Sequence, residues 1–219
     1  AAVAELYNWY VTHSTATFQY DLCTEEFQRE NIAYVQQRAP FLVAVNAAGK
    51  LCGFACAHPW HSRTAYAWDV ELTVYCAHDC VGQGVGGRLG KTLLDGVRQR
   101  GYTPILAHVE RYPYVTEDPT LLYRWVSSGA LAQINASGLV RSGHTAKWLH
   151  KLLDWNLVHL MCSDCHSVTT RPPNLKDGMA QISSSTAKLL QKNAIDVYLN
   201  KEISIKEPIE PKFRFGRWV

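Results

Sequence analysis

Four glycines fall within six residues in the stretch VGQGVGGRLGKT, residues 81–92. Glycine loses more conformational freedom on folding than any other residue, so this density costs more than an ordinary helix cap requires. Three anion-holding devices share the pattern. Gly82, Gly84 and Gly87 satisfy the G-x-G-x-x-G spacing of a dinucleotide turn. Gly90-Lys91-Thr92 copies the end of a P-loop, and Gly84-Val85-Gly86 fits the glycine turn that holds the pyrophosphate of an acyl-coenzyme A. All three rest on backbone N–H groups and a helix N-terminus approaching negative charge.

The flanking sequence separates them. A P-loop requires glycine six residues before its lysine, where Val85 stands. A dinucleotide turn opens directly off its strand within parallel βαβ units. Here AHDCV (77–81) intervenes and an antiparallel hairpin precedes, although Glu110 falls about where a ribose-binding acid would sit. The acyl-coenzyme A reading expects an antiparallel meander, a polar loop, Gly-x-Gly opening a helix, then a parallel strand. That is the order found, and a dinucleotide-binding enzyme stays open as the third hypothesis.

The order comes from periodicity and punctuation. Helical spacing covers Ala2–Val11, and Thr24 caps a helix reaching about Arg38, before Pro40. FLVAVN (41–46) and LCGFACAHPW (51–60) form a hairpin around AAGK, and a third strand spans 67–76. A helix leaves the glycine turn and ends near Arg100 at Gly101. PILAHV (104–109) reads as a buried strand, Pro119 opens a helix through Ser128, and extended segments are expected near 130–134 and 148–160. An amphipathic helix over Ser184–Leu199 precedes a Pro-punctuated extended end. The result is a mixed α/β chain.

A chain of 219 residues with 47% hydrophobic content supports one ordinary domain and an extension. A net charge of +3 is too mild to argue for nucleic acid, and no apolar run is long enough to span a membrane, so the expectation is a cytoplasmic protein with no nucleic-acid or membrane partner. Its seven cysteines are odd in number, and Cys52, Cys56 and Cys76 sit in strand-like runs as small hydrophobes. Cys162-Ser-Asp-Cys165-His166 has the C-x-x-C-H form, but neither a haem's axial partner nor a second pair of zinc ligands is patterned nearby. No metal is therefore expected, and the spacing is read as coincidence or a redox-sensitive thiol pair.

Residues 7–18, YNWYVTHSTATF, and 53–75, GFACAHPWHSRTAYAWDVELTVY, resemble the phosphinothricin-type N-acetyltransferases of the GNAT superfamily. Pro59, Trp60, Arg63, Tyr66, Val70, Glu71, Val74 and Tyr75 carry the likeness. It implies the GNAT fold over residues 1–160: a central, mixed, mostly antiparallel sheet flanked by helices and splayed where acetyl-CoA enters. Residues 161–219 are left as a C-terminal extension. It further implies a homodimer that moves acetyl from acetyl-CoA to the primary amine of a small amino-acid-like substrate, of phosphinothricin or methionine sulfoximine type. The chemistry it implies is direct attack in a ternary complex.

Carried onto this chain, the resemblance makes Glu71 the base, on the same strand face as Thr73 and Tyr75. Val74, Tyr75 and Cys76 would pair with the pantetheine arm and supply an oxyanion donor. Gly82, Gln83, Gly84, Val85, Gly86 and Gly87, with Arg88, would hold the pyrophosphate. Arg63 would take the substrate's acidic group, its planar fork suiting a carboxylate or phosphinate, and Trp60 and Tyr66 would wall the pocket. Asp118 falls at a coenzyme-contacting position, Tyr123 at that of the acid that protonates the leaving thiolate, and His150 at that of a substrate-orienting histidine. Departures accompany these matches. Val81 stands where arginine or glutamine is usual, Asp118 where asparagine is, and Tyr123 lies six residues before Gly129 rather than four before Gly-Phe. The family's first strand is missing before Ala1. These departures motivate the alternative of a non-catalytic acyl-CoA-binding or regulatory module.

Overall fold

A computed structural model describes every residue except Ser62 and Ser204, and of Ala65 the backbone alone. Helix α1 (Ala2–His13) opens the chain. In α2 (Glu25–Gln36) the Thr24 hydroxyl accepts the N–H of Phe27 at 3.1 Å, with Glu25 and Glu26 in the first turn against the helix dipole. β1 (Phe41–Val45) and β2 (Leu51–Pro59) join through a turn in which Asn46 Oδ1 accepts the N–H groups of Ala48 and Lys50. β3 (Val70–Cys76) completes an antiparallel sheet of order β1-β2-β3.

Strand alternation gives this sheet two different faces. Ala55, Ala57, Val70 and Leu72 pack with Leu89, Leu93 and Val97 of α3 (Val85–Arg98). Phe54, Cys56, His58, Thr73 and Tyr75 line a cavity on the other side with Tyr7 of α1 and Tyr34 of α2. Residues Ala1–Tyr102 form one compact unit and Thr103–Val219 a second. The compact units meet at 102/103, not at the boundary near residue 160 that the resemblance implies for the GNAT domain.

The second unit has a parallel sheet of β4 (Ile105–Leu106), β5 (Leu131–Asn135) and β6 (Leu160–Cys162). Around it run α4 (Pro113–Glu117), α5 (Thr120–Ser127), α6 (Ala136–Val140), α7 (His144–Asp154), α8 (Leu175–Met179) and α9 (Ser184–Tyr198). A hairpin of β7 (Phe213–Arg214) and β8 (Arg217–Trp218) follows. Val109, Leu122, Val126, Ile134, Leu149, Leu152, Leu157 and Leu190 are among its buried core residues.

Two sequence expectations fail here. The strand expected over 104–109 is only two residues long and pairs with β5, because His108 turns left-handed at φ 40 and Val109–Arg111 coil into a 3-10 turn. The extended segment expected over 148–160 is mostly α7: Trp148, Leu149 and Leu152 are buried at helical spacing, and extension begins only at Leu160. Among the described residues no helix is long and apolar enough to cross a membrane.

Candidate active site

The glycine turn has the conformation its residues require. Gly82 and Gly84 lie at φ 81 and φ 73, the left-handed region where a Cβ is strained. Gly84 precedes α3, and its carbonyl accepts the N–H of Arg88 at 3.1 Å, so the amides of the first helical turn point away from the helix. Val85 is buried in the first unit's core and anchors the helix start. A Cβ on Gly86 would come 3.2 Å from Cys76 Sγ, so this glycine lets the helix sit close to β3, while Gly87 faces open space. Gln83 Nε2 donates to the Asp79 carbonyl at 2.9 Å, and the Asp79 carboxylate pairs with Lys50. Arg88 and Val81 are exposed. A helix start with unpaired amides and glycine-permitted access can hold a phosphate.

Across the sheet lies a cavity of about 400 Å³. Tyr75 meets Tyr7, Tyr10 and Phe54 at ring separations of 5.5, 4.9 and 5.1 Å, and burial pushes its phenol pKa up. The Tyr10 hydroxyl donates to the Cys76 carbonyl at 2.7 Å and ties α1 to the end of β3. Burial also pushes the Cys56 thiol up to about 11, so it stays a neutral apolar wall rather than a nucleophile. Cys76, half-buried, is shifted upward for the same reason. Glu71 lies on this face opposite His58, its Oε2 3.6 Å from His58 Nε2 and its side chain 48% exposed. β3 is an edge strand of its sheet and Val74 is 40% exposed, so backbone donors and acceptors along that edge lie outside the ladder.

The expected substrate-pocket residues sit beside the cavity rather than in its wall. Trp60 is 55% exposed, with its backbone N–H donating to the Asp69 carbonyl at 3.2 Å. Arg63 is exposed at the start of the 3-10 turn Thr64–Tyr66. Tyr66 rests on His61, ring to ring at 5.4 Å, and His61 itself lines the cavity. The residue missed from sequence is His58. Its alternation with Phe54 and Cys56 put it on the cavity face, but its pairing with Glu71 depends on the 60–69 connection.

Asp118, Tyr123 and His150 belong to the second unit and have local roles there. Asp118 Oδ1 accepts the N–H and hydroxyl of Thr120 at 3.0 and 2.5 Å, which starts α5. Tyr123 is half-buried against the core, and His150 is exposed on α7. Glu110 is tied to the Asn135 N–H at 3.2 Å, and burial raises its carboxyl. Cys162 and Cys165 are free thiols. Between them Asp164 takes Arg111, Arg171 and the Asn135 side chain. Burial acts to raise its pKa, but the two guanidiniums outweigh that and hold the carboxyl below its ordinary range.

Two family models match the chain. The one described as the acetyltransferase (GNAT) family covers residues 3–112, and capsular polysaccharide synthesis, CpsB/CapC, covers residues 90–203. Phosphinothricin N-acetyltransferase of Streptomyces viridochromogenes is 31% identical over 144 residues, 65% of this chain and 76% of that relative. Tyrosine-protein phosphatase YwqE of Bacillus subtilis is 30% identical over 132 residues, 57% of this chain and 51% of that protein. A solved structure from a study of YwqE and of CpsB from Streptococcus pneumoniae, described as unique metal-dependent tyrosine phosphatases, shares 29% identity at a TM-score of 0.55. It covers 57% of this chain and 53% of that one. The chain thus spans about half the length of these phosphatases. Among the described residues no group of three or more His, Cys, Asp or Glu could hold a metal, and Asp164 is engaged by arginines.

Proposed function

The chain belongs to the acetyltransferase (GNAT) family through residues 3–112 and to the CpsB/CapC family through residues 90–203, and from the first membership we propose a small-molecule N-acetyltransferase. Acetyl-CoA is the co-substrate of that family. The observation that carries the reading is one three-stranded sheet with two equipped faces. The glycine turn and the start of α3 lie on one side, and a cavity of about 400 Å³, lined by His58 with Glu71 paired to it, lies on the other.

The amine nitrogen attacks the thioester carbonyl carbon, so a C–N bond forms as the C–S bond breaks and the electron pair leaves on sulfur. An alkyl ammonium has a pKa near ~10, so the nitrogen must lose a proton to react, and Glu71 supplies the negative charge toward which it moves. Edge amides of β3 near Val74–Cys76 donate to the developing oxyanion. The amides from Gly82 to Gly87 take the pyrophosphate, with Arg88 as its neighbouring charge. The acceptor is a small amino-acid-like amine of phosphinothricin or methionine sulfoximine type, its apolar part against Phe54 and Tyr75 and its acidic group toward Arg63. A homodimer in the cytoplasm is part of this reading.

Mass spectrometry of a pooled amine panel incubated with acetyl-CoA tests it, with Glu71→Gln as control. A product heavier by ~42 Da, the covalent bookkeeping of one acetyl for one hydrogen, that fades in the variant supports the enzyme and names its substrate. If no amine is acetylated while acetyl-CoA still raises the melting temperature, the chain is a non-catalytic acyl-CoA-binding module.

A further inference from the structure

His58 is held at both ring nitrogens. Nδ1 lies 3.2 Å from the Pro59 carbonyl oxygen. A carbonyl can only accept, so the neutral ring carries its hydrogen on Nδ1 and presents a lone pair at Nε2. Nε2 lies 3.1 Å from Thr73 Oγ1 and 3.6 Å from Glu71 Oε2. His58 and Thr73 line the cavity, and Glu71 is the cross-strand partner of His58 on the same face. The ring is therefore in the tautomer that accepts a proton, faces the cavity where an amine would sit, and has a carboxylate placed to pair with the imidazolium once it forms.

We propose that His58 is the catalytic base of the acetyl transfer, taking the amine's proton at Nε2, and that Glu71 stabilises the resulting imidazolium. The inference rests on the acetyl-transfer reading. As the amine nitrogen bonds to the carbonyl carbon, its proton passes to Nε2 and the C–S electron pair leaves on sulfur. The imidazolium then returns the proton to the thiolate, which leaves as the thiol and restores the neutral ring. Thr73 Oγ1 donates to Nε2 in the free enzyme and yields that position to the incoming amine.

The test compares wild type, His58→Ala, His58→Gln and Glu71→Gln on the amine identified by the panel. It measures kcat and the KM for acetyl-CoA, with and without added imidazole, and acetyl-CoA thermal shifts check the fold. General-base catalysis contributes about 100-fold or more, so kcat of His58→Ala should fall by about that factor while its KM for acetyl-CoA stays close to wild type. Imidazole should restore part of the lost rate in His58→Ala. His58→Gln, which keeps hydrogen bonds but cannot take a proton, should be as slow. If the alanine variant does not fold, the glutamine variant decides. Wild-type kcat in either histidine variant, or a slow but folded His58→Ala that imidazole does not rescue, overturns the role of His58 and leaves acetyl transfer standing. Acetylation of no amine by the wild type overturns both.

Discussion

Acidification should destabilise the second unit through one buried histidine. His159, which precedes β6, is 3% exposed. Its Nδ1 accepts the Ala132 N–H at 3.1 Å, so the ring is neutral with its hydrogen on Nε2. Protonation would place a second hydrogen on Nδ1, against that N–H donor. Burial accordingly lowers its pKa from 6.5 to about 4. Between these values the unfolded chain binds the proton and the folded chain does not. The stabilisation is therefore complete above about pH 6.5 and is lost as the pH falls toward 4. At 1.36 kcal/mol per pH unit the gap is worth about 3 kcal/mol in full, and about 2 kcal/mol of it disappears between pH 7 and pH 5. The assay is urea unfolding at those two pH values, followed by the fluorescence of the buried Trp148 and Trp155. His159→Asn, whose Oδ1 overlays Nδ1 and can still accept from Ala132, is the comparison. The wild type should lose about 2 kcal/mol more than the variant over this interval. Equal losses in the two proteins would refute the assignment.

The first unit offers two further checks. A Cβ on Gly53 would lie 2.7 Å from the Tyr75 carbonyl oxygen, a backbone atom in the β2–β3 ladder. Gly53→Ala should therefore cost about 1–3 kcal/mol in thermal unfolding, and unchanged stability would show that the strands can separate freely there. Gly84→Ala places a side chain at φ 73, a strain of about 1–2 kcal/mol. It should weaken acetyl-CoA binding by calorimetry several-fold or more while leaving the second unit's unfolding unchanged. Undiminished affinity would remove the turn from the binding site.

Most of what the sequence made legible is local. Thr24 as a cap, the 46–50 turn, the hairpin around it, and the left-handed Gly82 and Gly84 depend on contacts within a few residues, so composition and spacing reveal them. Glu71 on the cavity face followed from the period of two in β3. The resemblance of residues 7–18 and 53–75 pointed to the family and carried its pattern onward through Asp118, Tyr123 and His150, which the fold places in the second compact unit. The C-x-x-C-H spacing likewise surrounds an aspartate held by Arg111 and Arg171, a partnership joining residues 53 and 7 positions apart.

What only the tertiary structure decided is which segments pair across distance. Ile105–Leu106 joins Leu131–Asn135 rather than prolonging the strand its apolar run suggested, and 148–154 coils because Trp148, Leu149 and Leu152 find a core on one helical face. The pairing of His58 with Glu71 arises from an antiparallel register set through the 60–69 connection, and a one-residue slip would turn one of them to the opposite face. By itself the sequence determined that a left-handed glycine turn follows a hairpin, because glycine's freedom and the strand period are written residue by residue. The histidine placed against that strand's carboxylate depends on long-range register, which no local pattern encodes.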